Sequence, residues 1–279
     1  MSKQLKWIQH LTKACDGDIG LAKRQLVWLK EKILSDREAI GRSKNKVLSP
    51  KEELQLEQYI SERVEQHKPL QYILGNQPFC DLDIVTKPPT LIPRYAVPRL
   101  TSKEPLRILD VCTGSGCIAL ALAAHLPKHS SEIVGMDISS QAIALANHNL
   151  NIHSKRLSNS VNFIQQDIFQ FHMQKYEFNL IVSNPPYVTD EEYEHLDSDV
   201  KDWEDHRALV APEQGTLVHK QIIETARYCH PFGDLPKLVM EIGGTHQVEV
   251  LSEALSGSGF KDIDVWKDLA GKDRVVIAS

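Results

Sequence analysis

Phe178-Asn179-Leu180-Ile181-Val182-Ser183-Asn184-Pro185-Pro186-Tyr187 places apolar side chains at 178 and 180–182, then an amide, two prolines and an aromatic ring. A short apolar run rich in branched side chains predicts a buried parallel strand. Two consecutive prolines have no N–H to give to a ladder, so the strand ends at Asn184. Open α/β sheets bind ligands at the carboxyl ends of their strands. An amide side chain, proline carbonyls and a flat ring at that point suit a planar substrate bearing an NH2 group. Asn-Pro-Pro alone is also an ordinary strand-ending turn, and the flanking chain has to decide between the two.

Upstream, Arg107-Ile108-Leu109-Asp110-Val111 predicts a strand, followed by Cys112-Thr113-Gly114-Ser115-Gly116 and a helical run from Ile118 to Leu126. Without side chains at Gly114 and Gly116 the backbone can approach a ligand closely, at a helix N-terminus. A second strand, Ile133 to Asp137, ends on an acid about twenty residues after the glycines, where a carboxylate binds ribose hydroxyls. Gly114-x-Gly116-x-x-Ala119 also fits a dinucleotide fingerprint, but Asp110 argues against it: an acid there repels a pyrophosphate and suits an ammonium. A third acid, Asp167, follows the strand Val161 to Ile164. Acids at 110, 137 and 167 together suit S-adenosylmethionine, which carries an adenosine, an amino acid and a sulfonium and no phosphate.

Downstream, an acidic segment with Trp203, Arg207 and Leu209-Val210-Ala211-Pro212 is expected to form a loop over the site. A helix over 215–228, a strand over 237–242, a helix near 246–255 and an antiparallel pair at 263–266 and 274–277 complete an α/β domain with a seven-stranded, mostly parallel sheet.

Ahead of it, Ala22, Leu26, Leu29 and Ile33 have helical spacing, with Asp18 placed to cap. Ser49-Pro50-Lys51-Glu52 gives an N-cap serine, a first-turn proline and a capping-box glutamate. The helix it starts is expected to run to His67, stopped by Pro69. The chain therefore divides into a small helical bundle over 1–68, a proline-rich connector with a short hairpin over 69–104, and the α/β domain over 105–279. The connector is too apolar for a free linker and is expected to pack on the second domain.

The chain of 279 residues is 25% charged, with no apolar run long enough to span a bilayer. Five cysteines without a Cys-x-x-Cys pair point to a reducing compartment and away from structural zinc. Residues 1–50 hold eleven Lys or Arg against five Asp or Glu, a balance of +6, which leaves −11 for the remainder of a chain of net −5. Met1 to Cys15 carries three lysines and no acid, a pattern of a mitochondrial presequence, but it lacks arginine and reads equally as a first amphipathic helix.

Several of these pieces together resemble a known family: the protein-(glutamine-N5) methyltransferases, called HemK or PrmC, that modify peptide chain release factors. The matching stretches are Pro69 to Gly75, Thr90 to Arg94, Leu109 to Gly116, Asn184 to Tyr187, Arg207-Ala208-Leu209 and Ala270 to Val275. The resemblance implies a Rossmann-like methyltransferase fold behind a helical recognition domain. It implies S-adenosylmethionine held by Asp110, Cys112, Thr113, Gly114, Ser115, Gly116 and Asp137, with Asp167 and Ile168 facing the adenine and Asn184 touching the donor. Asn184, Pro185, Pro186 and Tyr187 would hold the glutamine of a Gly-Gly-Gln motif.

An amide nitrogen is a poor nucleophile because its lone pair is delocalised. Asn184 Oδ1 and the Pro185 carbonyl can accept its two hydrogens and turn the lone pair toward the sulfonium methyl, while Tyr187 packs on the amide plane. The expected partner is a release factor, without nucleic acid, membrane or metal, and the chain is expected to be a monomer. A nucleic-acid amino-methyltransferase is the competing enzyme, disfavoured by the acidic C-terminal domain. A catalytically weakened binding module is the competing non-enzyme.

Two places depart from the family. After Arg94 the usual acidic run and helix are replaced by Tyr95-Ala96-Val97-Pro98 and a short path to Arg107, and position 112 is cysteine where glycine is common. The cysteine resembles the fungal mitochondrial branch, so a mitochondrial location is expected, with the cytoplasm as the alternative.

Overall fold

The computed structural model describes residues 2–41, 45–91, 105–173 and 177–279. They form two compact units, residues 1–77 with 197–203, and residues 78–196 with 204–279. The departure after Arg94, with Ile92 and Pro93, lies outside the described residues.

The first unit contains α1 (Lys3–Leu11), α2 (Ile19–Ala39), α3 (Pro50–Glu65) and the short α4 (Leu70–Leu74). Asp18 accepts from Leu21 N at the start of α2, and Ser49 and Glu52 form the reciprocal capping box of α3. Leu11, Leu29, Leu56 and Ile60 are fully buried. Trp7, Ile8 and Leu11 all lie in this core, so the first stretch of chain is an amphipathic helix of the bundle. α3 ends at Glu65, short of the expected His67. His67 adopts φ 51°, outside the helical basin, and Arg63 Nη1 bonds the Lys68 carbonyl beyond it at 3.3 Å. Of the segment expected over the site, Trp203 belongs to this unit with residues 197–203, whereas Arg207 lines the cavity of the second unit. Trp203 Nε1 donates to Gln66 O at 3.0 Å, and Lys68 Nζ stands 5.5 Å from the indole centre.

The second unit opens with a hairpin, β1 (Asn76–Phe79) and β2 (Leu82–Val85). Its main sheet has seven strands: β3 (Leu106–Val111), β4 (Ser131–Asp137), β5 (Ser160–Gln165), β6 (Leu180–Ser183), β7 (Leu238–Glu241), β8 (Ile263–Lys267) and β9 (Asp273–Ala278). Their order is β5-β4-β3-β6-β7-β9-β8, parallel except for β9, which is antiparallel to both neighbours. The chain proceeds outward from β3 in one direction and from β6 in the other, so the crevice between these two strands is the switch point where such sheets bind ligands. Helices α5 (Cys117–His125), α6 (Ser140–His153), α7 (Leu217–Ala226) and α8 (Thr245–Gly257) flank the sheet. Every position of β6 is buried, as its unbroken apolar run requires.

Asn149 ties the hairpin and the glycine turn to α6. Fully buried, it accepts from Val85 N (2.8 Å) and donates to Val85 O (3.1 Å) and Ser115 O (3.0 Å). Asn149→Leu strands three backbone groups in the interior and is expected to cost about 3 kcal/mol of unfolding free energy. Urea denaturation reads this directly, and a loss below about 1 kcal/mol contradicts the assignment.

Candidate active site

The carboxyl ends of β3, β4 and β6 and the turn after β5 open into one cavity of about 600 Å³. Cys112, Thr113, Gly114 and Ser115 reach it from the turn after β3, and Asp137 from the end of β4. Asp167 and Ile168 come from the turn after β5, and Asn184 and Pro186 from the exit of β6. The structure thus brings together most of the residues singled out from the sequence.

The turn after β3 is built from left-handed residues: Cys112 at φ 59°, Gly114 at 54° and Gly116 at 80°. Cys112 is the expensive member, because a side chain in that conformation costs roughly 1–2 kcal/mol that glycine avoids. Burial pushes its thiol well above the ordinary value, and Asp137 and Asp110 add to the effect, so at neutral pH it is a thiol and not a nucleophile. At Gly114 an added Cβ would meet only Thr90 Cγ2, at 3.8 Å, which leaves the backbone open to the cavity. Gly116 differs from expectation. It does not line the cavity, and a Cβ there would stand 2.7 Å from the Phe163 ring and 3.1 Å from Ala146 Cβ. Its glycine serves helix-to-sheet packing, not ligand approach.

Asp137 Oδ2 accepts from Gly114 N (3.0 Å) and Oδ1 from Ser139 N (2.9 Å), so the carboxylate is aimed by two backbone donors. Desolvation raises its pKa against those bonds. Asp167 caps the turn after β5 by accepting from Phe169 N at 2.9 Å. Asp110 also departs from expectation, because it is fully buried and forms no part of the cavity wall. Its Oδ2 accepts from Thr113 Oγ1 (2.6 Å) and Ala119 N (3.2 Å), bracing the turn, while Oδ1 has no hydrogen-bond partner among the described residues. Burial pushes this carboxyl up to about 7.

On the β6 side, Ser183 Oγ donates to Val111 O at 2.7 Å and ties the two strands that flank the switch point. Pro185 and Tyr187 lie outside the cavity wall. The Tyr187 ring rests against Gly243, where an added Cβ would lie 3.2 Å from Tyr187 Cδ2. The geometry therefore gives Asn184 the leading place in a role expected to be shared. Ser139 and Phe169 line the cavity without having been singled out from the sequence. Ser139 was readable as the cap of α6, since it follows the acid of β4 and precedes a helical run.

Residues 5–75 match the family described as PrmC N-terminal domain, and residues 94–199 match the Methyltransferase small domain. The chain is 34% identical over 245 residues to the release factor glutamine methyltransferase of Bacteroides thetaiotaomicron, covering 85% of this chain and 84% of that one. It is 36% identical over 264 residues to the enzyme of that name from Geobacter sulfurreducens, covering 91% and 88%.

The chain belongs to the release factor glutamine methyltransferase family.

Among solved structures, the catalytic domain of hMettl16 in complex with a MAT2A 3'UTR hairpin aligns with a TM-score of 0.52 at 14% identity, over 83% of this chain and 82% of that one, a likeness of fold. The residues fit the methyl donor of this family. Gly114 offers bare backbone and Asp137 an aimed carboxylate for a ribose diol. S-Adenosylmethionine supplies the electrophilic methyl group when bound.

Because the Asp110 carboxyl titrates higher in the folded chain than in the unfolded one, its contribution favours folding at low pH and declines as pH rises from about 4 to about 7. Asp110→Asn removes that dependence. The stability difference between wild type and variant is expected to shift by up to roughly 4 kcal/mol across the window. Denaturation curves at pH 4 and pH 7.5 measure it, and parallel pH dependence of the two proteins contradicts the raised pKa.

Proposed function

We propose that the chain transfers the methyl group of S-adenosylmethionine to the side-chain amide nitrogen of the glutamine in a release factor's Gly-Gly-Gln motif, a modification acting on translation termination. One observation carries the reading: Asn184 enters from β6 the same cavity into which the turn after β3 and Asp137 project. Accepting an amide hydrogen at Asn184 Oδ1 fixes the rotation of the glutamine amide. It also stabilises the positive charge that grows on nitrogen as the methyl transfers. The transferred group leaves sulfur as its bond to nitrogen forms, and the surplus proton of the methylated amide passes to water. The helical unit, which matches the PrmC N-terminal domain, is the part proposed to recognise the release factor. Cys112, the residue that resembles the fungal mitochondrial branch, supports the mitochondrion as the proposed compartment, which subcellular fractionation decides.

Asn184→Ala is expected to lower single-turnover methyl transfer to a release factor by about 10²–10³-fold, with donor affinity retained. Asn184→Asp keeps an acceptor and should fall between. Mass spectrometry locating the methyl on glutamine, with RNA and DNA as parallel acceptors, tests the reading. Methylation of nucleic acid alone, or equal rates for wild type and alanine, refutes it.

A further inference from the structure

The far end of the Asn184–Tyr187 segment is held by a side chain that does not line the cavity. Gln247, in the first turn of α8, is 1% exposed. Its Nε2 donates to Tyr187 O (3.0 Å) and Gln214 O (3.1 Å), and its Oε1 accepts from Gly243 N (2.8 Å). One amide thereby joins three backbone segments: the exit of β6, the turn ahead of α7 and the turn after β7. Both amide hydrogens are used, and so is the oxygen.

The surroundings leave this clamp little latitude. Glu213 and Gln214 both adopt φ 56° and Gly215 follows at 76°. Left-handed backbone at non-glycine residues persists only where neighbours over-determine it. A Cβ on Gly215 would run into Tyr187 O, and one on Gly243 would stand 3.1 Å from Gln247 Oε1. Arg274 Nη1 separately anchors the Gly243 carbonyl at 2.5 Å. An apolar side chain at 247 would leave two carbonyls and one N–H without partners. A carboxylate there would face two carbonyl oxygens.

We infer that Gln247 is a positioning residue for methyl transfer, acting on Asn184 through the backbone between them. The near end of that segment is fixed by the β6 ladder through Ser183. Pro185 and Pro186, with their fixed φ, make the intervening links stiff, so that displacement at Tyr187 carries back to the Asn184 side chain. Sub-ångström placement of a positioning group is worth large factors in rate. This inference rests on the reading of Asn184 proposed above.

Gln247→Met and Gln247→Glu are compared with wild type in single-turnover transfer to a Gly-Gly-Gln release factor at saturating donor and acceptor. The rate is expected to fall about tenfold or more, while the S-adenosylmethionine Kd, read by calorimetry, stays within about twofold because the donor residues are on other turns. In an Asn184→Ala background the same substitutions should cost less than about twofold, since the group they displace is gone. Gln247→Glu keeps the side-chain length, so loss of the fold in the methionine variant leaves the test intact. Wild-type transfer in the same assay establishes the glutamine reading, so equal rates for wild type and variants overturn the role of Gln247 alone. Equal losses in the two backgrounds also overturn it, by showing a structural defect that does not pass through Asn184.

Discussion

Two consecutive prolines at 185 and 186 withdraw two N–H groups from the sheet at the place where β6 leaves it, and the position of Asn184 follows from that loss. Pairing of β6 with β3 and with β7 stops at Ser183. The chain must turn away from the sheet at the switch point, and the residue at the turn faces the crevice where the β3 loop also ends. A residue with an N–H at either proline position would allow the ladder to continue and would let the segment move.

The opposite wall depends on buried polar groups that brace bare backbone. Asp110 supports Thr113 and Ala119, Asp137 holds Gly114 and Ser139, and Asn149 holds Ser115. The turn after β3 therefore keeps its left-handed geometry without depending on side chains inside the cavity. Cys112 stands where only glycine avoids strain, and it persists because the turn is held from beneath at several points.

Much of this was legible in the sequence because it is local. The capping box at Ser49, the apolar run of β6 and the acid closing β4 each follow from residues within a few positions of one another. The misreadings depend on contacts across the fold. Gly116 looked like a ligand-facing glycine, and only the arrival of Phe163 from β5 shows that its missing side chain makes room for packing. Tyr187 was read as packing on the substrate amide, and its ring lies beside Gly243, more than fifty residues later, outside the cavity wall. Trp203 read as part of an active-site loop, yet it bonds Gln66 in the helical unit. Gln247 carried no signal at all: a lone glutamine near a helix start is ordinary, and its partners lie at 187, 214 and 243.

Orientation of the substrate amide by Asn184 is the proposed source of its reactivity, with no general base. Glu241 is a carboxylate that follows Met240, the ladder partner of Ser183, and lines the same cavity as Asn184. The pH dependence of single-turnover methyl transfer between pH 6 and 8, at saturating donor and release factor, separates the two mechanisms. Orientation at Asn184 predicts a profile whose shape is unchanged by Glu241→Gln. A rate rising with pH through an ionisation that disappears in that variant would contradict it.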